Sequence, residues 1–553
     1  MIVDHDRELL AVRAPETASM RASDGVRLDA DVYRPEGDGQ YPVLLMRQPY
    51  GRRIASTVIY AHPSWYAANG YVVVIQDVRG RGTSEGQFRI FADDVSDGGE
   101  TIAWAAHLPQ STGRVGMYGF SYQGHTQFLA LAAGRAELQA LCPGMATWDV
   151  RTDWAYESGA FCFANNIYWG IQMAAEQARL AGDEKAFEAL YGASRALPLH
   201  SPRPCWPDVL EAFGRYTHYQ EWLASPEPGP YWRSIAVSAA LEGKTMDVPM
   251  LHFGGWYDFM LRGTLRAYRE TGKRSSRPQR LIVGPWAHMP WGRRVGAADF
   301  GSEAFGFVDQ LQIAWFDRFL KDVDNGVDQA PAVRLFDLVA KTWRDFDHWP
   351  GQPRRNFYTR SDGLAASSES GLLGETPAAH SRADAIVHDP WRPAPSLGGH
   401  ASDPGGMQER SEIDNRRDVV TYTTCPFPAP LTLAGDVELT LWARADQPSF
   451  DVSAILSRVA PDGRVFNLTQ GHCRVDAPNA APIRIGMRAL CASLGAGDAL
   501  RLSLAGASFP AFAVNPGSGV PPAQARTIDN RIITLFFQSG GATPTRLDLP
   551  ILS

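Results

Sequence analysis

The segment Gly119-Phe-Ser-Tyr-Gln-Gly124 follows an apolar run at residues 115–118 and precedes a run with helical character. A serine in a tight turn between a strand and a helix has its hydroxyl exposed above the sheet, where the helix N-terminus adds positive potential. Gln123 stands where the Gly-x-Ser-x-Gly pattern has its second glycine, so the match to that pattern is imperfect. The place of Ser121 between strand and helix nonetheless predicts a nucleophile.

Apolar runs of the same kind recur on both sides of this segment. Strands covered by helices on both faces of a parallel sheet are apolar throughout, whereas half-exposed strands alternate. The runs therefore predict a mainly parallel sheet that is interrupted after residue 145 and resumes near residue 245. They lie at residues 42–46, 71–75, 249–254 and 279–284.

An aspartate and a histidine come directly after two of these runs. Asp258 ends the sequence Gly254-Gly-Trp-Tyr-Asp258, and His288 ends Gly284-Pro-Trp-Ala-His288. A single loop histidine is more often a surface residue, but the chain order Ser, Asp, His is that of an α/β-hydrolase. We therefore predict this fold, with Ser121 as nucleophile, His288 as general base and Asp258 as the acid that orients it.

Acyl transfer needs two hydrogen-bond donors for the oxyanion that forms on the carbonyl. The backbone N–H of Tyr122, next to the nucleophile, is one such donor in this fold. Tyr50, in Gln48-Pro-Tyr-Gly-Arg52, follows the strand at residues 42–46, where the fold places its second donor. From its position alone, Tyr50 could equally serve loop packing.

Residues 146–244 interrupt the sheet pattern with helical stretches and many aromatic side chains, without a strand pattern. An insertion between strands of an α/β sheet commonly covers their carboxyl ends, where ligands bind. The segment is therefore predicted to be a helical cap. Its aromatic residues either form the core of the cap or line a substrate pocket.

The C-terminal part has a different texture. Residues 351–415 are rich in Gly, Pro, Ser and Ala and suggest long loops, and short alternating strands follow from Val419 onward. This pattern predicts an all-β jelly roll. The predicted domains are residues 1–145 and 245–350 for the two parts of the hydrolase sheet, 146–244 for the cap and 351–553 for the jelly roll.

Five segments carry a resemblance to a known family. The chain resembles the family of cocaine esterase, X-Pro dipeptidyl-peptidase and the α-amino acid ester hydrolases over nearly its whole length, and members of that family also have a larger residue in place of the second glycine. The resemblance implies that Ser121, Asp258 and His288 form a triad and that Tyr50 donates to the oxyanion. Its segments are the four quoted above and Gln76-Asp-Val-Arg-Gly-Arg-Gly-Thr-Ser-Glu-Gly86.

The resemblance leaves the substrate open. Members that bind a free α-amino group need carboxylates near the nucleophile, and Asp153 and Glu157 lie at the start of the predicted cap. Simple esterases need only an apolar acyl pocket, for which Trp154 and Phe161 are candidates. We favour a small-molecule acyl esterase, with an aminoacyl ester hydrolase, β-lactam acylase or X-Pro dipeptidyl-peptidase as the alternative.

Several other functions are disfavoured. The net charge of −7 argues against binding nucleic acid, and no apolar run approaches the length of a membrane span. The acidic N-terminus does not resemble a signal peptide, and the six scattered cysteines predict reduced thiols, so we expect a cytoplasmic protein. Neither a metal nor a cofactor is expected, and a homo-oligomer is left open.

Two further interpretations are weaker. The segment at residues 79–86 lacks the Lys-Ser/Thr ending of a phosphate-binding loop, so a structural loop at the edge of the sheet is favoured. The β-rich C-terminal part could make the chain a non-catalytic carbohydrate-binding protein. The complete set of three predicted catalytic side chains argues against that function.

Overall fold

The computed structural model describes residues 8–53, 59–351, 353–367, 370–402, 404–476 and 481–552. Residues 1–7, on which the expectation about a signal peptide depends, lie outside these ranges. Within them, none of the helices is both long enough and apolar enough to cross a lipid bilayer.

A mixed sheet forms the first layer of the structure. Ten described strands follow the order β1-β2-β4-β3-β5-β6-β9-β10-β13-β14, and β3 to β6, β9, β10 and β13 run parallel. The strands are β1 (Glu16–Arg21), β2 (Arg27–Tyr33), β3 (Tyr41–Gln48), β4 (Val72–Asp77), β5 (Ser111–Phe120), β6 (Leu138–Gly144), β9 (Met250–Tyr257), β10 (Gln279–Ala287), β13 (Val333–Asp337) and β14 (Thr342–Phe346).

Helices cover both faces of this sheet, which explains why its central strands are apolar throughout. Val43 and Leu45 pack with the helices of one face, and Leu44 and Met46 pack with those of the other. Successive strand residues point to opposite faces, so each face needs its own apolar cover. The helices are α1 (Pro63–Ala68), α2 (Asp94–Ala106), α3 (Tyr122–Leu131), α10 (Leu261–Arg274) and α11 (Val308–Leu320).

The chain leaves the sheet after β6 and builds a helical cap before it returns at β9. The cap also contains a two-stranded ribbon, β7 (Tyr156–Glu157) and β8 (Ala160–Phe161), which the sequence did not predict. Two-residue strands are too short to show an alternating pattern, and Ser158 and Gly159 make the turn with positive φ. The helices are α4 (Phe163–Leu180), α5 (Glu184–Arg195), α6 (Asp208–Phe213), α7 (Tyr219–Ala224), α8 (Pro230–Ser234) and α9 (Val237–Ala240).

The C-terminal part is all β apart from the short α12 (Ser411–Asp414) and a 3₁₀ turn. An eleven-stranded and a three-stranded sheet account for its described strands. They are β15 (Arg354–Arg360), β16 (Leu372–Gly374), β17 (Arg382–His388), β18 (Val419–Thr423), β19 (Leu431–Gly435), β20 (Glu438–Leu441), β21 (Ala443–Ala445), β22 (Ser449–Val459), β23 (Val465–Asp476), β24 (Ile483–Gly486), β25 (Leu490–Leu494), β26 (Ala499–Ala505), β27 (Ile533–Ser539) and β28 (Arg546–Leu552).

Three strands, β15 to β17, lie in the region where the sequence suggested only long loops. β15 pairs with β28 and β17 pairs with β27, and both partners lie near the end of the sequence. Hydrogen bonds to these distant strands therefore form the extended structure that the local composition did not predict. A ribbon of β11 (Arg294–Val295) and β12 (Ala298–Asp299) precedes α11. The predicted fold class, an α/β sheet with an inserted cap and a C-terminal β domain, is confirmed.

Candidate active site

Ser121 lies at the junction of β5 and α3 with φ 58° and ψ −123°, a conformation that L residues rarely adopt. The turn is crowded: a Cβ on Gly119 would lie 2.4 Å from Cβ of Gln123, and one on Gly124 would lie 2.7 Å from the carbonyl of Gly144. Gln123 fits because its side-chain oxygen accepts a hydrogen bond from the backbone N–H of Phe120. The larger residue therefore stabilises the turn.

The three side chains of the predicted triad lie together above the carboxyl ends of their strands. His288 Nε2 is 3.0 Å from Ser121 Oγ, and His288 Nδ1 is 2.7 Å from Asp258 Oδ1. Asp258 is fully buried, Ser121 is nearly so and His288 keeps part of its ring exposed. A carboxylate oxygen can only accept, so Nδ1 carries the proton and Nε2 is left as acceptor for the serine hydroxyl.

Tyr50, two residues beyond β3, has its hydroxyl at this site. Its oxygen accepts a hydrogen bond from the indole N–H of Trp169 at 3.3 Å. Burial raises the pKa of Tyr50 to about 12, although hydrogen bonds to Trp169 and Ser121 oppose that rise. The phenol is therefore a neutral hydrogen-bond donor at physiological pH.

The Tyr122 side chain has its own partners within the sheet domain, so only its backbone N–H remains as a candidate donor to the oxyanion. Its hydroxyl donates to Asp94 Oδ2 at 3.1 Å and its ring stacks on Phe91 at 4.3 Å between centroids. These contacts fix the first residue of α3, whose N–H follows directly after Ser121.

Asp77, at the end of β4, holds the loop that carries Tyr50. It accepts hydrogen bonds from Gln48 Nε2 at 3.2 Å and from the backbone N–H of Arg52 at 2.7 Å, and it pairs with the Arg52 guanidinium at 2.6 Å. Gln48 in turn accepts from the N–H of Tyr50 at 2.8 Å. The sequence indicated the segments Gln48–Arg52 and Gln76–Gly86 separately, but it did not show that they contact each other.

Aromatic side chains from the cap and from the loop after β9 form a connected group that reaches His288. The ring of Phe259 lies 4.2 Å from that of His288 and 6.2 Å from Trp154, and Trp154 lies 4.7 Å from Trp169. The structure therefore brings the predicted Trp154 towards the site. Trp169 is one of the cap aromatics for which the sequence left open core packing or pocket lining, whereas Phe259 was not predicted, although it directly follows Asp258.

Phe161 occupies a different place from the one expected. It is fully buried, and its ring contacts Tyr156 at 5.2 Å and Tyr219 at 5.7 Å, inside the cap. Its place in β8 turns it into the core of the insertion, so the expectation that it lines the substrate pocket finds no support here.

Asp153 is occupied by protein partners. Its Oδ2 accepts from the backbone N–H groups of Trp148 and Asp149 at 3.0 and 2.8 Å, and Oδ1 lies 3.3 Å from the Arg266 guanidinium. The carboxylate thus closes the turn at the start of the cap. It is not placed as a free acceptor for a substrate ammonium.

Glu157 is engaged even more fully. Arg488 lies 2.6 Å and His400 3.0 Å from its Oε2, while Oε1 receives Arg262 at 2.9 Å and the backbone N–H of His472 at 3.0 Å. Burial alone would raise the pKa of Glu157, but these partners outweigh it and hold the pKa well below its ordinary range. The expectation of amine binding thus fails to account for the contacts of either carboxylate.

These partners make Glu157 a junction between three parts of the chain. Glu157 belongs to the cap, Arg262 to α10 of the sheet domain, and His400 and Arg488 to the β domain. Arg488 also donates to the backbone carbonyl of Phe259 at 3.2 Å, one residue beyond Asp258. The C-terminal domain therefore contacts the loop that carries the buried acid of the site.

A serine in a strained strand-to-helix turn, hydrogen-bonded to a histidine that is itself bonded to a buried carboxylate, is the arrangement found in α/β-hydrolases. Comparison with known proteins identifies the family. Residues 24–290 match the family model described as X-Pro dipeptidyl-peptidase (S15 family), and residues 325–547 match its C-terminal non-catalytic domain. Cocaine esterase of Rhodococcus sp. (strain MB1 Bresler) is 30% identical over 96% of this chain and 97% of that protein. The chain belongs to this family and is a serine hydrolase.

Solved structures share the fold over the whole chain. An aminopeptidase from the marine sediment archaeon Thaumarchaeota archaeon superposes with a TM-score of 0.80 at 23% identity, covering 99% of this chain and 97% of that one. An α-amino acid ester hydrolase gives a TM-score of 0.78 at 20% identity, covering 98% and 97%. At these identities the likeness concerns the fold.

Replacing Glu157 with glutamine should destabilise the fold strongly, because Arg262 and Arg488 would remain partly or wholly buried without their carboxylate. Breaking a buried ion pair in this way costs about 3 to 5 kcal/mol. Since the pKa of Glu157 is lowered in the fold, the difference between wild type and variant should persist above the ordinary pKa of 4.5 and shrink as the pH falls below it.

Urea unfolding followed by tryptophan fluorescence measures this effect. Glu242→Gln is the matched control, because Glu242 pairs with Arg233 at 3.2 Å with both side chains largely exposed. An exposed pair adds little stability, so the control should unfold like wild type. If Glu157→Gln and Glu242→Gln had the same free energy of unfolding, the Glu157 cluster, formed by Glu157, Arg262, His400 and Arg488, would not hold the domains together.

Proposed function

We propose that this serine hydrolase is an acyl esterase that cleaves small carboxylic esters through an acyl-enzyme on Ser121. The observation that carries the proposal is the continuous hydrogen-bonded series from Ser121 Oγ through His288 to Asp258, at 3.0 and 2.7 Å. The geometry meets the distance requirement for a nucleophile with its general base and for a base with its orienting acid.

In the first half of the reaction, Ser121 Oγ attacks the ester carbonyl carbon while His288 Nε2 takes the hydroxyl proton. Asp258 stabilises the imidazolium that forms. The tetrahedral intermediate then breaks its bond to the alcohol oxygen, which leaves with the proton from Nε2. Water then attacks the acyl carbon while His288 Nε2 takes its proton. The bond between the acyl carbon and Ser121 Oγ breaks, Nε2 returns the proton to Oγ, and the carboxylic acid leaves.

Two donors face the oxyanion in this mechanism, the N–H of Tyr122 and the hydroxyl of Tyr50. An indole N–H can only donate, so Trp169 engages a lone pair of the Tyr50 oxygen and does not compete for the phenolic proton. That proton is directed to the carbonyl oxygen as negative charge develops there. The raised pKa of Tyr50 keeps the proton on the phenol.

The acyl group that suits this site is uncharged. Trp169 and Phe259 offer partly exposed aromatic surface near the triad, with Trp154 packed against both, whereas Asp153 and Glu157 are already satisfied by protein partners. Burying an ammonium without a carboxylate partner would be costly. Cocaine esterase, the relative at 30% identity, carries an ester substrate in its name, and this supports the same choice.

Replacing Ser121 with alanine should abolish ester hydrolysis and labelling by a fluorophosphonate probe while leaving the fold intact. Loss of the nucleophile typically lowers kcat by several powers of ten. The hydrolysis rate of p-nitrophenyl acetate and gel detection of the probe measure the two effects. Labelling that persisted in the variant would place the nucleophile on another serine.

Replacing Tyr50 with phenylalanine removes one hydroxyl and should lower kcat by roughly 10²- to 10³-fold with little change in KM. Tyr118→Phe serves as the matched control, because the Tyr118 hydroxyl is buried and has no hydrogen-bond partner among the described residues. The control should keep the wild-type kcat. If Tyr50→Phe behaved like the control, another donor would serve the oxyanion.

A matched pair of esters tests the acyl group. The p-nitrophenyl esters of phenylalanine and of 3-phenylpropionate differ only in the α-ammonium, so their kcat/KM ratio, divided by the ratio of their uncatalysed alkaline hydrolysis rates, isolates amine recognition. We expect the uncharged ester to be hydrolysed at least as fast, with X-Pro anilides poor substrates. A preference of about tenfold or more for the aminoacyl ester, which is 1.4 kcal/mol, would favour the alternative of an amine-recognising hydrolase and leave the triad unaffected.

A further inference from the structure

Arg81 belongs to the segment for which the sequence favoured a purely structural loop. Gly80 and Gly82 on either side have positive φ, and a Cβ on them would lie 2.2 Å from the backbone nitrogen of Phe88 and 1.9 Å from Asp77 Oδ2. The loop is thereby held in one shape. In that shape the Arg81 side chain is 1% exposed.

The buried guanidinium contacts carbonyl and amide oxygens. Its Nε donates to the Pro49 carbonyl at 2.8 Å, and its Nη1 donates to the Met173 carbonyl at 3.3 Å and to Gln177 Oε1 at 3.1 Å. Nη2 lies 3.7 Å from the Met173 sulfur, and the group lies 5.0 Å from the centre of the Phe88 ring.

No described carboxylate lies within ion-pairing distance of Arg81, in contrast to other buried arginines of the structure. Arg47, Arg52 and Arg488 each pair with an aspartate or glutamate. Burial lowers the pKa of Arg81, but an arginine stays protonated because its ordinary pKa lies far above neutrality. A positive charge without a paired carboxylate in a dry interior is costly, which suggests a role beyond packing.

The groups that accept hydrogen bonds from Arg81 belong to two segments, and both segments contact or contain Tyr50. Pro49 precedes Tyr50 in the chain, and Met173 and Gln177 lie one and two turns after Trp169 on α4. Trp169 is the residue whose indole holds the Tyr50 oxygen. The guanidinium thus fixes both the backbone before Tyr50 and the cap helix that orients its hydroxyl, and its charge opposes the rise in the pKa of Tyr50.

We propose that Arg81 is a positioning residue for the oxyanion hole, tying cap helix α4 to the Pro49–Tyr50 backbone so that the Tyr50 hydroxyl points at the oxyanion. The inference rests on the proposed role of Tyr50. It gives the loop at residues 79–86 a role in positioning Tyr50. It also implies that the position of the cap affects kcat as well as substrate binding.

A double-mutant cycle tests the proposal, because residues that act through one another are not additive. Arg81→Met should lower kcat for p-nitrophenyl acetate by roughly 10- to 100-fold with KM changed less than threefold. In a Tyr50→Phe background the same substitution should change kcat less than about threefold. Arg81→Lys keeps the charge but not the fork, and should recover only part of the loss.

Arg79→Met is the matched control from the same loop, since Arg79 pairs with Asp97 and Asp24 rather than with the Tyr50 loop or α4. Any effect it has on kcat should be equal in both backgrounds. If Arg81→Met fails to fold, Gln177→Met takes its place in the double-mutant cycle. This substitution removes one hydrogen-bond acceptor of Arg81 on α4, so we expect the same pattern with a smaller change in kcat.

The outcomes separate the two proposals. Additive losses in both backgrounds, a change confined to KM, or an unchanged kcat would overturn the role of Arg81. If Tyr50→Phe alone left kcat unchanged, the proposed role of Tyr50 as oxyanion donor would be wrong, whatever the result for Arg81. A loss in Arg81→Met that disappears in Tyr50→Phe supports both.

Discussion

Ser121 keeps a positive φ only because its neighbours leave no room for the chain to relax. Gly119 and Gly124 permit β5 and α3 to meet at the distance that the turn requires, and β6 passes close beneath them at Gly144. A backbone conformation of this kind persists when the surrounding structure over-determines it. The central position of β5 in a sheet covered on both faces supplies that rigidity. The Ser121 hydroxyl is therefore held at the carboxyl end of β5.

Each further part of the site is attached to this fixed point by a different element. β9 and β10 deliver Asp258 and His288, the β3 loop delivers Tyr50, and cap helix α4 delivers Trp169. The loops are fixed by buried charges rather than by regular structure. Asp77 binds the Tyr50 loop, and Arg488 binds the carbonyl of Phe259. Side chains that are held in place in this way need little rearrangement as a reaction proceeds.

The sequence was sufficient for the sheet, and for the placement of Ser121, Asp258 and His288 at strand ends along one edge of that sheet. These features depend on local patterns, since parallel strands place their carboxyl ends at one edge. It was not sufficient for Asp153, Glu157 and Phe161, because the roles of these residues depend on tertiary neighbours. Arg488, for example, lies 331 positions beyond Glu157. The same reason explains β15 to β17, whose Gly- and Pro-rich surroundings conceal strands that pair with the end of the chain.

The Glu157 cluster also bears on how such a chain can change by recombination. The β domain matches a family model described as non-catalytic, yet it supplies two of the three charged or ionisable side chains around a carboxylate in the cap. An exchange of that domain alone would pass on Glu157 without His400 and Arg488. Cap and β domain are therefore expected to be inherited together, as a matched pair, even though they are far apart along the chain.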